Sequence, residues 1–161
     1  MPQYDIEFAQ KLAEVANLVV TEGTESVDAQ RTVLYLSLLS TEIALKAMLE
    51  TAGKPVSEIR KRSHNLADLL ADLGQCEIQV DVAGKTMTVS ASRLRSCTLQ
   101  EGDTQITVGK VIDAEQDGAS QYPNAVRYGD RLRHYPPAVV AQMAARVVEF
   151  AHKHWLNLRT S

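Results

Sequence analysis

At 161 residues, with 45% of them apolar, the chain is the size of one domain and can bury a real core, which excludes disorder as the default state. Its formal net charge of −3 does not advertise nucleic-acid binding for the molecule as a whole. No uninterrupted apolar run approaches the roughly 18 residues of a membrane span, and MPQYDIEFAQ lacks the basic-then-apolar pattern of a secretory signal, so the expectation is a cytoplasmic protein with no membrane partner.

Charge is distributed unevenly. Residues 1–58 hold Lys11, Arg31, Lys46 and Lys54 against an excess of acids, whereas residues 120–161 hold Arg127, Arg131, Arg133, Arg146, Lys153 and Arg159 against only Asp130 and Glu149. A local basic face can bind phosphate even on an acidic chain. Cys76 and Cys97 have no CxxC partner and no histidine at a ligand spacing, so they read as reduced thiols near a core and no metal is expected.

The first predicted helix runs from about Asp5 to Glu22. Phe8, Leu12, Val15 and Val19 recur at helical spacing, Ala9 and Ala16 widen the stripe, and Gly23 ends it. Ser26 is an N-cap for a second helix reaching about Ala52, apolar nearly all round and therefore the central one. A third helix is expected from near Ser63, with Leu66, Leu69, Leu70 and Leu73 as its stripe and Gly74 after its end.

The period then changes. Ile78, Val80 and Val82, then Met87, Val89 and Ala91, alternate with polar residues around Ala83-Gly84-Lys85, which predicts a β-hairpin. Residues 105–112 read as a third strand and residues 113–124 as loop. Pro137 opens a final helix as its N1 residue, with an apolar stripe continuing to Leu158. The expected architecture is mainly α: a four- to five-helix antiparallel bundle in one unit over residues 1–161. It carries a small antiparallel β-insert at about 76–112 and loop to 118.

Three constellations carry chemistry. Lys54, Arg60, Lys61 and Arg62 lead into Ser63, His64 and Asn65 at a helix entrance, where free N–H groups and the positive helix end favour an anion. The same residues also fit a solvated loop in which Ser63 caps and His64 packs. Glu42 and Lys46 stand four apart in the favourable order for an ion pair on a helix with few exposed positions. They fit either a polar anchor in a cleft or an ordinary structural pair, with Arg127 as another partner for the acid.

The third constellation, Tyr122 to Tyr135, gathers Arg127, Arg131, Arg133, His134 and the tyrosines, including Tyr128. Arginines clamp phosphate, tyrosines stack on bases, and a histidine beside arginines is kept neutral. A structured loop whose arginines pair with acids fits as well. No P-loop, GxGxxG, GxSxG or HExxH occurs, and His152 and His154, two apart on a helix, point to different faces.

TEIALKAMLETAGKP (41–55), SHNLADLL (63–70) and VRYGDR (126–131) together resemble the HEPN superfamily, the higher eukaryotes and prokaryotes nucleotide-binding domains. The resemblance covers about residues 5–75 and 122–158 and leaves the β-insert outside. It implies a helical domain that binds RNA or nucleotide as a homodimer, in a bacterial toxin–antitoxin or defence setting. A nucleotidyltransferase or antitoxin is the implied partner class, and no cofactor is implied.

Catalytic members of that family are metal-independent RNases carrying Arg, four to six residues, then His. Arg127 with His134, and Arg146 with His152, match that spacing. The family usually has Asn, Asp or His directly after the arginine, and here Tyr128 or Val147 stands instead. The resemblance therefore implies binding through Glu42, Lys46, Arg60, Arg62, His64, Asn65, Tyr128, Arg131 and Arg133, without strong intrinsic catalysis. Cleavage by Arg127 and His134, and a purely structural partner role, are the alternatives.

Overall fold

The computed structural model describes residues 1–99, 105–118, 121–129 and 134–161. Helix α1 (Ile6–Glu22) starts where the Asp5 carboxylate accepts the N–H groups of Glu7 and Phe8. It stops at Gly23, whose φ of 124° is open only to glycine at low cost. Ser26 caps α2 (Val27–Ala52) by accepting from the Ala29 N–H, and left-handed Gly53 closes it. Then come α3 (Val56–Arg60), α4 (Leu66–Gly74), β1 (Cys76–Val82), β2 (Lys85–Ser90), α5 (Val108–Gln116), α6 (Asn124–Tyr128), α7 (Pro137–His154) and β3 (Leu158–Thr160). Pro137 opens α7 as expected.

The fold is mainly α with a small antiparallel sheet. The four predicted helices are α1, α2, α4 and α7. α5 is a fifth, and α3 and α6 are five-residue pieces. α2 packs on α1, α4, α6 and α7, and α1 also packs on α7. Leu34, Leu38, Leu45, Met48 and Leu49 of α2 are fully buried, and the core continues through Leu69, Leu73, Ile78, Ile112 and Met143 to Leu158. α2 is long and apolar enough to cross a membrane, but 72% of its apolar window is buried within the protein, as in a central core helix.

Three expectations are corrected. The apolar stripe of α1 faces the core only in part: Ala9 and Ala16 are buried together with Ala13, and Leu12 and Val19 are half-buried, whereas Phe8 is 50% exposed and Val15 38%. Small residues allow α1 to approach α2 closely, and the buried Ser40 hydroxyl donates to the Ala9 carbonyl at 2.6 Å. α4 begins at Leu66, not near Ser63, because the Asn65 side chain takes the Asp68 N–H and so caps the helix. Residues 61–64 form turns before it, with Ser63 left-handed at φ 50°.

The predicted third strand and the start of the predicted loop belong to α5, which Thr107 caps by accepting from the Lys110 N–H. The strand that completes the sheet is β3 from the C-terminus, with Cys76 opposite Thr160 and Ile78 opposite Leu158 in the order β2-β1-β3. The final apolar stripe therefore ends as a helix at His154, turns through Trp155–Asn157, and delivers Leu158 to the core from a strand. The hairpin itself forms as read, with Val80 opposite Met87 and Val82 opposite Lys85 around Ala83 and Gly84.

If the alanine seam sets the distance between α1 and the central helix, Ala13→Leu lowers folding stability by about 1–3 kcal/mol through overpacking. Phe8→Ser changes it by less than about 0.5 kcal/mol, as surface substitutions do. Urea unfolding of the two variants measures the contrast.

Candidate functional site

Glu42 sits mid-helix in α2 at 6% exposure and is the acceptor for three different elements. One turn along the same helix, the Lys46 ammonium donates to Oε2 at 3.3 Å. From the turn before α4, His64 Nδ1 approaches Oε1 at 2.6 Å, and from the segment before α6 the Tyr122 hydroxyl donates to Oε1 at 3.0 Å. An ionised carboxylate only accepts, so Nδ1 carries the proton of a neutral His64 ring. Nε2 is then the open nitrogen, on a side chain that is 50% exposed.

Burial pushes the Tyr122 hydroxyl far above the usual phenol range, and the adjacent Glu42 carboxylate pushes the same way. Tyr122 is thus a permanent donor to Glu42. Its own N–H is taken by Glu115 Oε1 at the end of α5. Its ring meets the edge of His64 at 6.1 Å between centroids and the Tyr35 ring at 6.2 Å. The Arg127 guanidinium lies 5.0 Å over Tyr35 and donates Nη2–H to its hydroxyl. Arg31 Nε donates to the Val126 carbonyl at 3.0 Å, holding α6 against α2. A continuous polar and aromatic chain therefore runs from Arg127 through Tyr35, Tyr122 and Glu42 to His64 and Lys46.

His64 lines a groove of about 600 Å³ with Lys61, Arg62, Asn65, Gln121 and Tyr122, at the entrance of α4. Two of its lining residues, Ser63 and Gln121, hold left-handed backbone at φ 50° and 52°, a conformation that costs a side-chain-bearing residue energy and persists only when its surroundings fix it.

The cations at the groove are largely engaged. Arg62 grips Asp72 through Nε and Nη2 at 2.8 and 2.9 Å, Lys54 reaches the same carboxylate at 3.1 Å, and Lys61 pairs with Glu58 at 2.8 Å. Burial alone would raise the Asp72 pKa, but hydrogen bonds from Arg62 and Lys54 outweigh it and hold the carboxyl below its ordinary range. Arg60 is exposed, with no ion pair among the described residues.

The structure thus brings together Glu42, Lys46 and His64, and joins Arg127 to them through two tyrosines. Asn65 lines the same groove while capping α4. His134 lines a separate small depression with Leu38, Val111 and Val140, its Nδ1 turned to the Tyr135 carbonyl. Tyr128 is 76% exposed beside Arg127. Arg131 and Arg133 lie outside the described residues. On α7, Arg146 pairs with Glu149, whereas His152 faces Gln10 of α1 at 2.8 Å.

Tyr35 and Tyr122 complete the network; the sequence marks Tyr122 only as one of the tyrosines of the 122–135 constellation and does not mark Tyr35. The signal for Tyr35 was its place seven residues before Glu42 and eleven before Lys46, on the same face of a helix. Compared with family models, curated proteins and solved structures, the chain matches none.

The Asp72 carboxyl has a lowered folded pKa, so its contribution to stability is present above the ordinary carboxylate range and is lost as pH falls through the folded value. Asp72→Asn therefore lowers stability at pH 7 by about 1–3 kcal/mol. The gap to wild type narrows below about pH 4, which denaturant unfolding over a pH series measures.

Proposed function

We propose that the chain is a HEPN-type helical module that binds RNA or a nucleotide in the groove at the entrance of α4. One observation carries the reading: the basic turn residues Lys61 and Arg62, the start of α4, and a half-exposed histidine anchored on a buried carboxylate all meet at one concave surface. Lys61 in its lining and exposed Arg60 next to it in the chain supply positive charge for phosphate, and the amides of Asn65 and Gln121 offer polar contacts to a base or ribose. Arg127 stacked on Tyr35 gives a second cationic and aromatic surface on the adjoining face.

The homodimer in this reading is supported by the outer face of α1, where Phe8, Val15 and Leu18 are exposed in series on a helix whose other face is buried. The same face suits the alternative of a structural partner in a defence or toxin–antitoxin complex. Cleavage by Arg127 and His134 has less support. The two line different depressions, and Tyr128 replaces the polar residue that the resemblance calls for.

A labelled single-stranded RNA is expected to bind at about 50 mM salt and to weaken steadily as salt rises. Combining Arg60→Glu with Lys61→Glu lowers its affinity about tenfold or more, because phosphate contacts dominate such binding. Fluorescence anisotropy measures both. Absence of binding to RNA and to nucleotides at low salt would overturn the reading.

A further inference from the structure

We propose that a second groove, between the N-terminal half of α2 and α6, docks an acidic peptide segment of a partner protein. A carboxylate of that segment sits on Arg31 and Arg127, with an apolar side chain beside it. The groove is separate from the one at the entrance of α4 and independent of RNA binding there.

The central helix itself marks the place. α2 is buried nearly all round in its C-terminal half, yet Asp28, Arg31, Thr32, Tyr35 and Leu36 leave it partly uncovered toward its start. Spaced three and four apart, these residues form one stripe. Together with Val126, Arg127 and Tyr128 of α6 they line a groove of about 600 Å³.

Two arginines are braced across this groove by neutral groups. Arg31 of α2 donates Nε–H to the Val126 carbonyl of α6 at 3.0 Å, and Arg127 of α6 donates Nη2–H back to the Tyr35 hydroxyl of α2. Neither has an ion pair among the described residues, whereas Arg62, Arg95 and Arg146 each grip a carboxylate. A carbonyl and a phenol orient a guanidinium without neutralising it. The charge and the remaining N–H groups stay available to an incoming carboxylate, and the side chains are ordered before it arrives.

Three features favour a peptide over a nucleic acid. The Tyr35 ring already carries the Arg127 guanidinium 5.0 Å over it and has Tyr122 beside it, so the place where a base would stack is taken. Apolar surface flanks the arginines: Leu36 is half-buried in the lining, Tyr128 is 76% exposed, and Val27, one turn before Arg31, is 55% exposed. Such surface suits a Leu, Ile or Phe side chain next to the acid. Asp28 in the lining repels a run of phosphates but accepts N–H groups, which a peptide backbone supplies.

The test selects a phage-displayed library of random linear peptides on the full chain. Recovered peptides are then labelled and titrated by fluorescence anisotropy, with a single-stranded RNA titrated in parallel. The expected sequences place Asp or Glu next to Leu, Ile or Phe. Their affinity is expected to fall about tenfold in Arg31→Gln and about tenfold in Arg127→Gln, since each removes a charge-assisted hydrogen bond. Arg127→Gln leaves the Arg31 bond that holds α6 in place, so it reports on the charge with the fold intact, which urea unfolding checks.

No enrichment of acidic sequences overturns the proposal, as do acidic peptides that bind both arginine variants like wild type. Single-stranded RNA weakened by Arg127→Gln, with no acidic peptide recovered, also overturns it and makes the groove a nucleic-acid surface.

Discussion

A carboxylate buried in the middle of a core helix has to be supplied with donors, or the helix cannot pack as it does. Isolated burial of an ionised Glu42 would cost several kcal/mol even after relaxation, so the fold must bring Lys46, His64 and Tyr122 to it. Only Lys46 comes from the same helix. His64 ties the turn before α4 to the central helix, and Tyr122 ties the segment between α5 and α6. The groove is the space between those two tethered segments, which makes it a consequence of satisfying Glu42.

The electrostatics of the groove follow from the same economy of pairing. Arg62 and Lys54 are committed to Asp72, and Lys61 to Glu58, which fastens the basic turn to its own helices. Among the described residues of this region, little uncompensated charge remains, in Arg60 and in Arg127 over Tyr35. This pattern suits a ligand with few phosphates in contact and a polar heterocycle or ribose beside them, more than a long stretch of backbone wrapped by lysines. It also agrees with an overall acidic chain that carries local cationic spots.

The elements set by local chemistry were legible. Ser26, Pro137, Gly23 and the Ala83-Gly84 turn mark boundaries through capping and φ preferences, and each does so in the structure. The choice of face on α1 was not legible, since alanines and large apolar residues both repeat at the helical period; burial of the small ones is decided by how near α2 comes. α5 was hidden because Gln105 to Val108 alternate like a strand, while the decisive signal was a single cap, Thr107. β3 was hidden because three residues carry no period, and its pairing partner lies about eighty positions away.

The site was legible in part. Glu42, Lys46, His64, Asn65 and Arg127 stand out as residue types, but their convergence depends on helix packing and on two tyrosines whose role is tertiary. Arg127 and His134 looked coupled by spacing, whereas the chain takes them to different depressions.

The central claim is that Glu42 sets the tautomer and orientation of His64. Two-bond ¹H–¹⁵N correlation NMR of the ring nitrogens above the titration range reads it directly. The account predicts the Nδ1–H tautomer for His64, with Nε2 unprotonated, and a shift toward the Nε2–H form in Glu42→Ala. Dominance of the Nε2–H tautomer in the unaltered protein would contradict it, since the nitrogen offered to the groove would then hold a proton instead of accepting one.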